Sequence, residues 1–222
     1  MTQRVAIIGT AGRRDDGPRL TRPVWEEMVR HAGAAVDKMR TEDDADIVLV
    51  SGGAAYADHL AVRLYLDGKA DRLELHLPAG LRQDGFVERP GNDRMDPGRI
   101  ANYYHRQFRE RTGVDGLAEL RAAAEKGATL DASTPGFKER NSVVARKADQ
   151  LIAYTFGPGR EIAALEDPAE DGYADHQAAG VKDGGTADTW TKASNARRKI
   201  HVPISLLEAR ARRRGAGQAE RQ

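Results

Sequence analysis

Short apolar runs that end in glycine turns, alternating with stretches of helical periodicity, constrain this chain more than any other feature. Arg4-Val5-Ala6-Ile7-Ile8-Gly9 is nearly continuous in its apolar character, as a strand covered on both faces should be. It stops in Gly9-Thr10-Ala11-Gly12. Asp46-Ile47-Val48-Leu49-Val50 repeats the pattern and ends in Ser51-Gly52-Gly53. Further runs fall at 73–77, where Leu alternates with Glu74 and His76 as on a half-wet edge strand, and at 150–156 and 199–204. Helical patterns lie between them: from near Thr21, with Pro23 in the first turn and Val24, Met28, Ala32 and Val36 as a stripe, and then at 54–66, 100–125 (interrupted near Gly113 and Gly116), 136–148 and 186–196. Strands alternating with helices predict an α/β, Rossmann-like three-layer fold with a mainly parallel sheet of about five strands.

Two stretches depart from this rhythm and read as insertions. Residues 78–98 are broken by Gly, Pro, Asp and Arg, and 157–183 carry seven acidic residues against Arg160 and Lys182, so both are expected to be loops. The domain is therefore expected to span 1–207. Beyond Leu207 the chain becomes rich in Arg, Ala and Gly, too polar to pack, and 208–222 are expected to form a basic, disordered tail.

Charge narrows the function classes little, because 35 Lys and Arg balance 34 Asp and Glu, for a net charge of +1. There is no cysteine, which excludes disulfide scaffolds, thiolate metal sites and Cys nucleophiles. The six histidines lie at 31, 59, 76, 105, 176 and 201, outside any metal-ligand spacing, so no metal site and no cofactor are expected. No run approaches the roughly 18 apolar residues of a membrane span. The opening MTQRVAIIGT has no signal-peptide pattern, and the expectation is a cytoplasmic protein.

The chemistry is expected where the glycines fall. The turns at Gly9-Thr10, at Gly52-Gly53 and at Gly184-Gly185-Thr186 all occupy carboxyl ends of strands or helix starts. Such turns present bare backbone N–H groups to a phosphate. A tight turn needing positive φ is the bland alternative for each. Neither GxGxxG nor GxxxxGK[ST] is present, so the dinucleotide fingerprint and the P-loop are both excluded.

Three segments carry a resemblance: 50–61 (VSGGAAYADHLA), 136–153 (GFKERNSVVARKADQLIA) and 184–189 (GGTADT). In that order they resemble the SLOG superfamily of Rossmann-like nucleotide-binding proteins, which includes the DprA/Smf-like proteins, the LOG-type phosphoribohydrolases and the YspA/YpsA-like families. The last are the nearest in pattern. The resemblance implies that Gly52, Gly53, Arg140, Asn141, Gly185 and Thr186 line one nucleotide pocket. Arg140 can offer a planar fork to a phosphate and Asn141 can donate and accept. A solvated helix surface is the alternative for Glu139 and Arg140, and a surface carboxylate is expected for Asp58.

The resemblance to LOG-type enzymes, which hydrolyse the N-glycosidic bond of nucleoside 5′-monophosphates, rests on Glu139-Arg140 and implies catalytic roles for Glu139 and Asp188. Their second motif ends in an acid that falls here on Thr189. Asp188 is one position early and so points roughly 100° away around a helix. Binding of a nucleotide or nucleotide-derived small molecule is therefore the expected function, with hydrolysis as the alternative. Single-stranded nucleic acid is a third class, suggested by Arg210, Arg212, Arg213 and Arg214, although an aromatic content of 5% is sparse for a stacking platform. A homo-oligomer is compatible with all three.

Overall fold

The structure is a computed structural model, and it describes residues 1–89, 96–134, 136–157 and 184–219. In chain order its elements are β1 (Thr2–Gly9), α1 (Asp16–Arg19), α2 (Arg22–Asp43), β2 (Asp46–Ser51), α3 (His59–Leu66), β3 (Arg72–His76), β4 (Leu81–Arg82), β5 (Gly85–Phe86), α4 (Pro97–Thr112), α5 (Gly116–Glu125), β6 (Thr129–Asp131), α6 (Phe137–Lys147), β7 (Gln150–Thr155), α7 (Gly185–Lys192), β8 (Arg198–Pro203) and α8 (Ile204–Ala219). Six strands form one sheet in the order β6-β3-β2-β1-β7-β8, and every neighbouring pair is parallel.

The alternation of side chains along the central strands divides the interior into two cores. Val5 and Ile7 of β1, Ile47 and Leu49 of β2, and Ile152 and Tyr154 of β7 enter the larger one, beneath α2, α3, α4, α5 and α8. Ala6 and Ile8, Val48 and Val50, and Leu151 and Ala153 face the smaller one, where Val144 and Ala145 of α6 and Trp190 of α7 cover them. Burial on both faces is why these strands read as unbroken apolar runs. The stripe Val24, Met28, Ala32 and Val36 is buried in the larger core, as the helical spacing of α2 predicts.

The structure corrects several expectations. The sheet has six strands because β6, only three residues long, pairs outside β3 through Glu74↔Thr129 and His76↔Asp131. So β3 is not an edge, and His76 is buried. Glu74 is held by Lys147 and Arg4 rather than by water. Within 78–98, β4 and β5 form a small antiparallel hairpin, and Asn102 of α4 clamps Phe86 by accepting from its N–H (2.8 Å) and donating to its carbonyl (2.9 Å). Residues 54–58 form turns, so α3 starts at His59 instead of 54. The expected acidic loop at 157–183 lies, beyond Gly157, outside the described residues.

The largest departure is the expected tail, which continues as α8 to Ala219 and packs on α2. Its apolar positions are few, namely Ile204, Leu207 and Ala211, but all three are buried in the larger core. Ion pairs complete the contact: Glu208 takes Arg19 at 2.6 Å, and the buried Glu27 of α2 takes Arg214 at 3.2 Å. Ala211→Glu should therefore place an unmatched carboxylate in this seam and destabilise by about 1–3 kcal/mol. Arg213→Glu on the exposed side of α8 should stay within about 0.5 kcal/mol. Urea unfolding followed by tryptophan fluorescence distinguishes the two, and equal effects would mean that α8 is not docked.

Candidate functional site

Every strand of the main sheet points its carboxyl end the same way, and the chain reverses direction of travel across the sheet at β1, with β2 on one side and β7 on the other. Open α/β sheets place ligands at such a switch point, outside the carboxyl ends. A cavity of about 300 Å³ lies there, at the lower end of the range for small-molecule sites. The structure brings to it Gly9 and Thr10, Gly52, Arg140 and Asn141, and Gly184, Gly185 and Thr186. Three glycine turns that are far apart in sequence thus share one cavity.

Two of those glycines are required by close approach. A Cβ on Gly9 would sit 2.0 Å from the Tyr154 carbonyl oxygen of β7. A Cβ on Gly52 would sit 2.5 Å from the Arg140 guanidinium carbon and 2.7 Å from an Asp58 carboxylate oxygen. The space a side chain would take at 52 is filled by a charge pair.

That pair is the centre of the site. Asp58 and Arg140 are both buried, with Oδ2 and Nη2 3.9 Å apart. Burial pushes the Asp58 carboxyl above the usual range, against the pull of Arg140 and of backbone N–H groups from Ala54, Gly9 and Gly52. Burial likewise lowers Arg140, against the field of Asp58. Arg140 donates from Nη1 to the Gly52 carbonyl (2.7 Å) and from Nη2 to Asn141 Oδ1 (3.1 Å), while Nε is buried without a hydrogen-bond partner among the described residues. Asn141 passes the connection on, donating from Nδ2 to the Gly185 carbonyl at the start of α7 (3.2 Å). Thr10 Oγ1 donates to Asp16 (2.7 Å) and accepts from Gly12 N–H (3.1 Å), which fixes the loop after β1.

The expectation of a surface position for Asp58 is therefore overturned, because the α6 arginine that accompanies it inside comes from far along the chain. Glu139 and Asp188, the expected catalytic acids, do not line the cavity. Neighbours on a helix point about 100° apart, so with Arg140 and Thr189 facing inward their preceding residues turn away. Glu139 is exposed, and Asp188 pairs with Lys192 at 2.8 Å on the outside of α7. Gly53 also turns from the cavity, its carbonyl lying 3.1 Å from His105 Nε2.

Several cavity residues were passed over by sequence reasoning: Arg13, Arg14 and Asp16 after the first glycine turn, Tyr104 of α4, and Phe137 at the start of α6. The Arg-Arg pair directly after a phosphate-type turn was a usable signal. The rings carried none, since helix-borne aromatics usually fill cores. Among the described residues no group of three or more His, Asp or Glu could hold a metal ion. Arg212 and Arg214 of the basic cluster pair with Glu208 and Glu27.

Two measurements follow from the buried charges. Asp58→Ala strands Arg140 and should destabilise by about 3–5 kcal/mol, whereas adding Arg140→Met should recover part of that loss. A double-mutant cycle in urea with no coupling between the two positions would remove the pair from the account. Burial also lowers His105 to about 3 and His31 to about 4, against 6.5 for an ordinary histidine. The unfolded chain then binds more protons than the folded one as pH falls below about 6.5, so stability is fully present above that value and declines toward pH 4. His105→Gln, which retains a donor for the Gly53 carbonyl, should flatten the slope between pH 6.5 and 4.5. An unchanged slope would contradict the assignment.

The chain is similar to uncharacterized protein R261 of Acanthamoeba polyphaga mimivirus, at 29% identity over 204 residues that cover 91% of this chain and 97% of the relative. No family model matches the chain, and no solved structure matches it.

Proposed function

We infer that the cavity binds a nucleotide or a nucleotide-derived small molecule. One observation carries the reading: at the switch point of a parallel sheet, three glycine turns, three arginines and two aromatic rings line a single cavity of about 300 Å³. Backbone N–H groups at the start of α7 suit a phosphate, whereas those of Gly9, Gly52 and Ala54 are taken up by Asp58. Neither Arg13 nor Arg14 has a carboxylate partner among the described residues, so two positive charges are left for an anionic ligand. Arg140 is engaged by Gly52, Asn141 and Asp58, which makes it a positioning group with one donor, Nε, in reserve. The resemblance of the glycine turns and of Arg140-Asn141 to the SLOG superfamily supports the same reading. A cytoplasmic location belongs to the proposal too. No described helix is long and apolar enough to cross a membrane.

A thermal-shift series with nucleoside mono-, di- and triphosphates and cyclic nucleotides tests this. A ligand at 100 times its dissociation constant should stabilise by about 2.7 kcal/mol. Arg13→Ala should weaken that ligand by about 1.5–3 kcal/mol through the lost charge-assisted contact. No shift with any nucleotide would end the reading.

Hydrolysis of the N-glycosidic bond is the second reading, and the observation in its favour is that the cavity does hold two carboxylates, Asp16 and Asp58. Water would add to the ribosyl carbon and the base would leave with a proton. The expected result on incubation with nucleoside monophosphates is intact nucleotide by chromatography. Free base and ribose 5-phosphate, abolished by Asp16→Asn or Asp58→Asn, would move the activity to hydrolysis.

A further inference from the structure

Arg13, in the loop between β1 and α1, holds an unusual position within the cavity. Its guanidinium carbon lies 5.8 Å from the ring centre of Tyr104 and 5.9 Å from that of Phe137. The two rings come from different elements, α4 and α6, and both line the cavity half-buried. A guanidinium is flat and stacks on aromatic faces as a heterocycle does. Its nearly equal distance from the two rings means that a flat group at that place would have an aromatic ring from each of two elements within reach. Phe137 is braced from a second side, with the buried Arg140 guanidinium 5.5 Å from its ring centre. One of the two rings is therefore fixed in advance, which lowers the ordering cost of binding.

We propose that the ligand is a nucleoside monophosphate whose base lies between Tyr104 and Phe137, where the Arg13 guanidinium sits, while Arg13 turns to the phosphate. The proposal rests on the nucleotide reading above and adds the base-binding residues and the phosphate count. Arg13 has no carboxylate partner among the described residues, so leaving the rings for a phosphate costs it no ion pair. Two arginines without acidic partners match the charge of about −2 on one phosphate monoester. A cavity of about 300 Å³ is small for a second nucleoside. The rings supply stacking that any base can use, so they set affinity for the base as a class more than the choice among bases.

Titration calorimetry with the four common nucleoside 5′-monophosphates and with ribose 5-phosphate separates the parts. The unmodified protein should bind at least one nucleotide more tightly than ribose 5-phosphate. Tyr104→Ala and Phe137→Leu should each weaken that nucleotide by about fivefold to a hundredfold, leave ribose 5-phosphate within about twofold, and Phe137→Tyr should restore the difference. Nucleotide affinity unchanged in both ring variants would overturn the stacking slot and leave the nucleotide reading standing. Parallel loss of nucleotide and ribose 5-phosphate would also overturn it, assigning the rings to the cavity wall alone. If the unmodified protein binds no nucleotide, the function proposed above fails and the slot fails with it.

Discussion

The site depends on one carboxylate being taken out of water. Asp58 is the common reference for the turn after β1, through Gly9 N–H, for the turn after β2, through Gly52 and Ala54, and for α6, through Arg140. Without a counter-charge its burial would cost several kcal/mol, and Arg140 alone would be as poorly placed. Together, with the Gly52 carbonyl and Asn141 each accepting one guanidinium N–H, they form a network in which Arg140 Nε is the buried donor without a partner among the described residues. A buried pair of this kind is weak evidence for net stability. Its consequence is registration: two strand ends and a helix are set against one another by atoms that do not themselves reach into solvent.

The division of charge in the cavity follows from this arrangement. Arg140 is committed to structure, and its positive charge is largely answered by Asp58. The charges left over sit on Arg13 and Arg14, in a loop pinned only by short contacts such as Thr10 to Asp16. Rigid framework and adaptable contact are thus held by different residues. Loops carried on a fixed sheet are where binding groups usually lie. The smaller core beneath α6 and α7, built on Ala6, Ala145, Ala153 and Ala193, lets those two helices approach the sheet closely, which brings Asn141 to the start of α7.

Much of the frame could be read in the sequence, for a physical reason. Strands β1, β2 and β7 are buried on both faces, and burial leaves its mark as uninterrupted apolar residues. Where burial is partial the mark fades. Strand β6 is three residues, none of them buried, at a sheet margin, β4 and β5 are pairs of residues, and α8 is held by three apolar side chains and ion pairs to α1 and α2. The glycine turns were legible because a missing side chain is itself a signal. Asp58 was not, because whether an acid is buried depends on its partner, and the hydrogen bond from Arg140 to Gly52 spans 88 positions. The displaced roles of Glu139 and Asp188 have a simpler cause. Two adjacent helix residues, Arg140 and Asn141, share the inward face of α6, and at about 100° per residue a third neighbour, Glu139, is carried out to solvent.

The position of the first strand has a consequence for how the molecule is made. Strand β1 is made before β2 and β7, yet it becomes a central strand whose second neighbour is β7, with Val5 opposite Gln150. One of its edges can pair with β2 early, through Thr2↔Asp46 and the positions that follow. The other stays open until the chain has been extended past Thr155. An open apolar edge is an invitation to pair with another chain, and contacts of such long range form slowly. The interval between completing β2 and completing β7 therefore leaves an apolar edge of β1 open to other chains. The cavity is completed later still, because Gly184, Gly185 and Thr186, which line it, follow β7 in the chain.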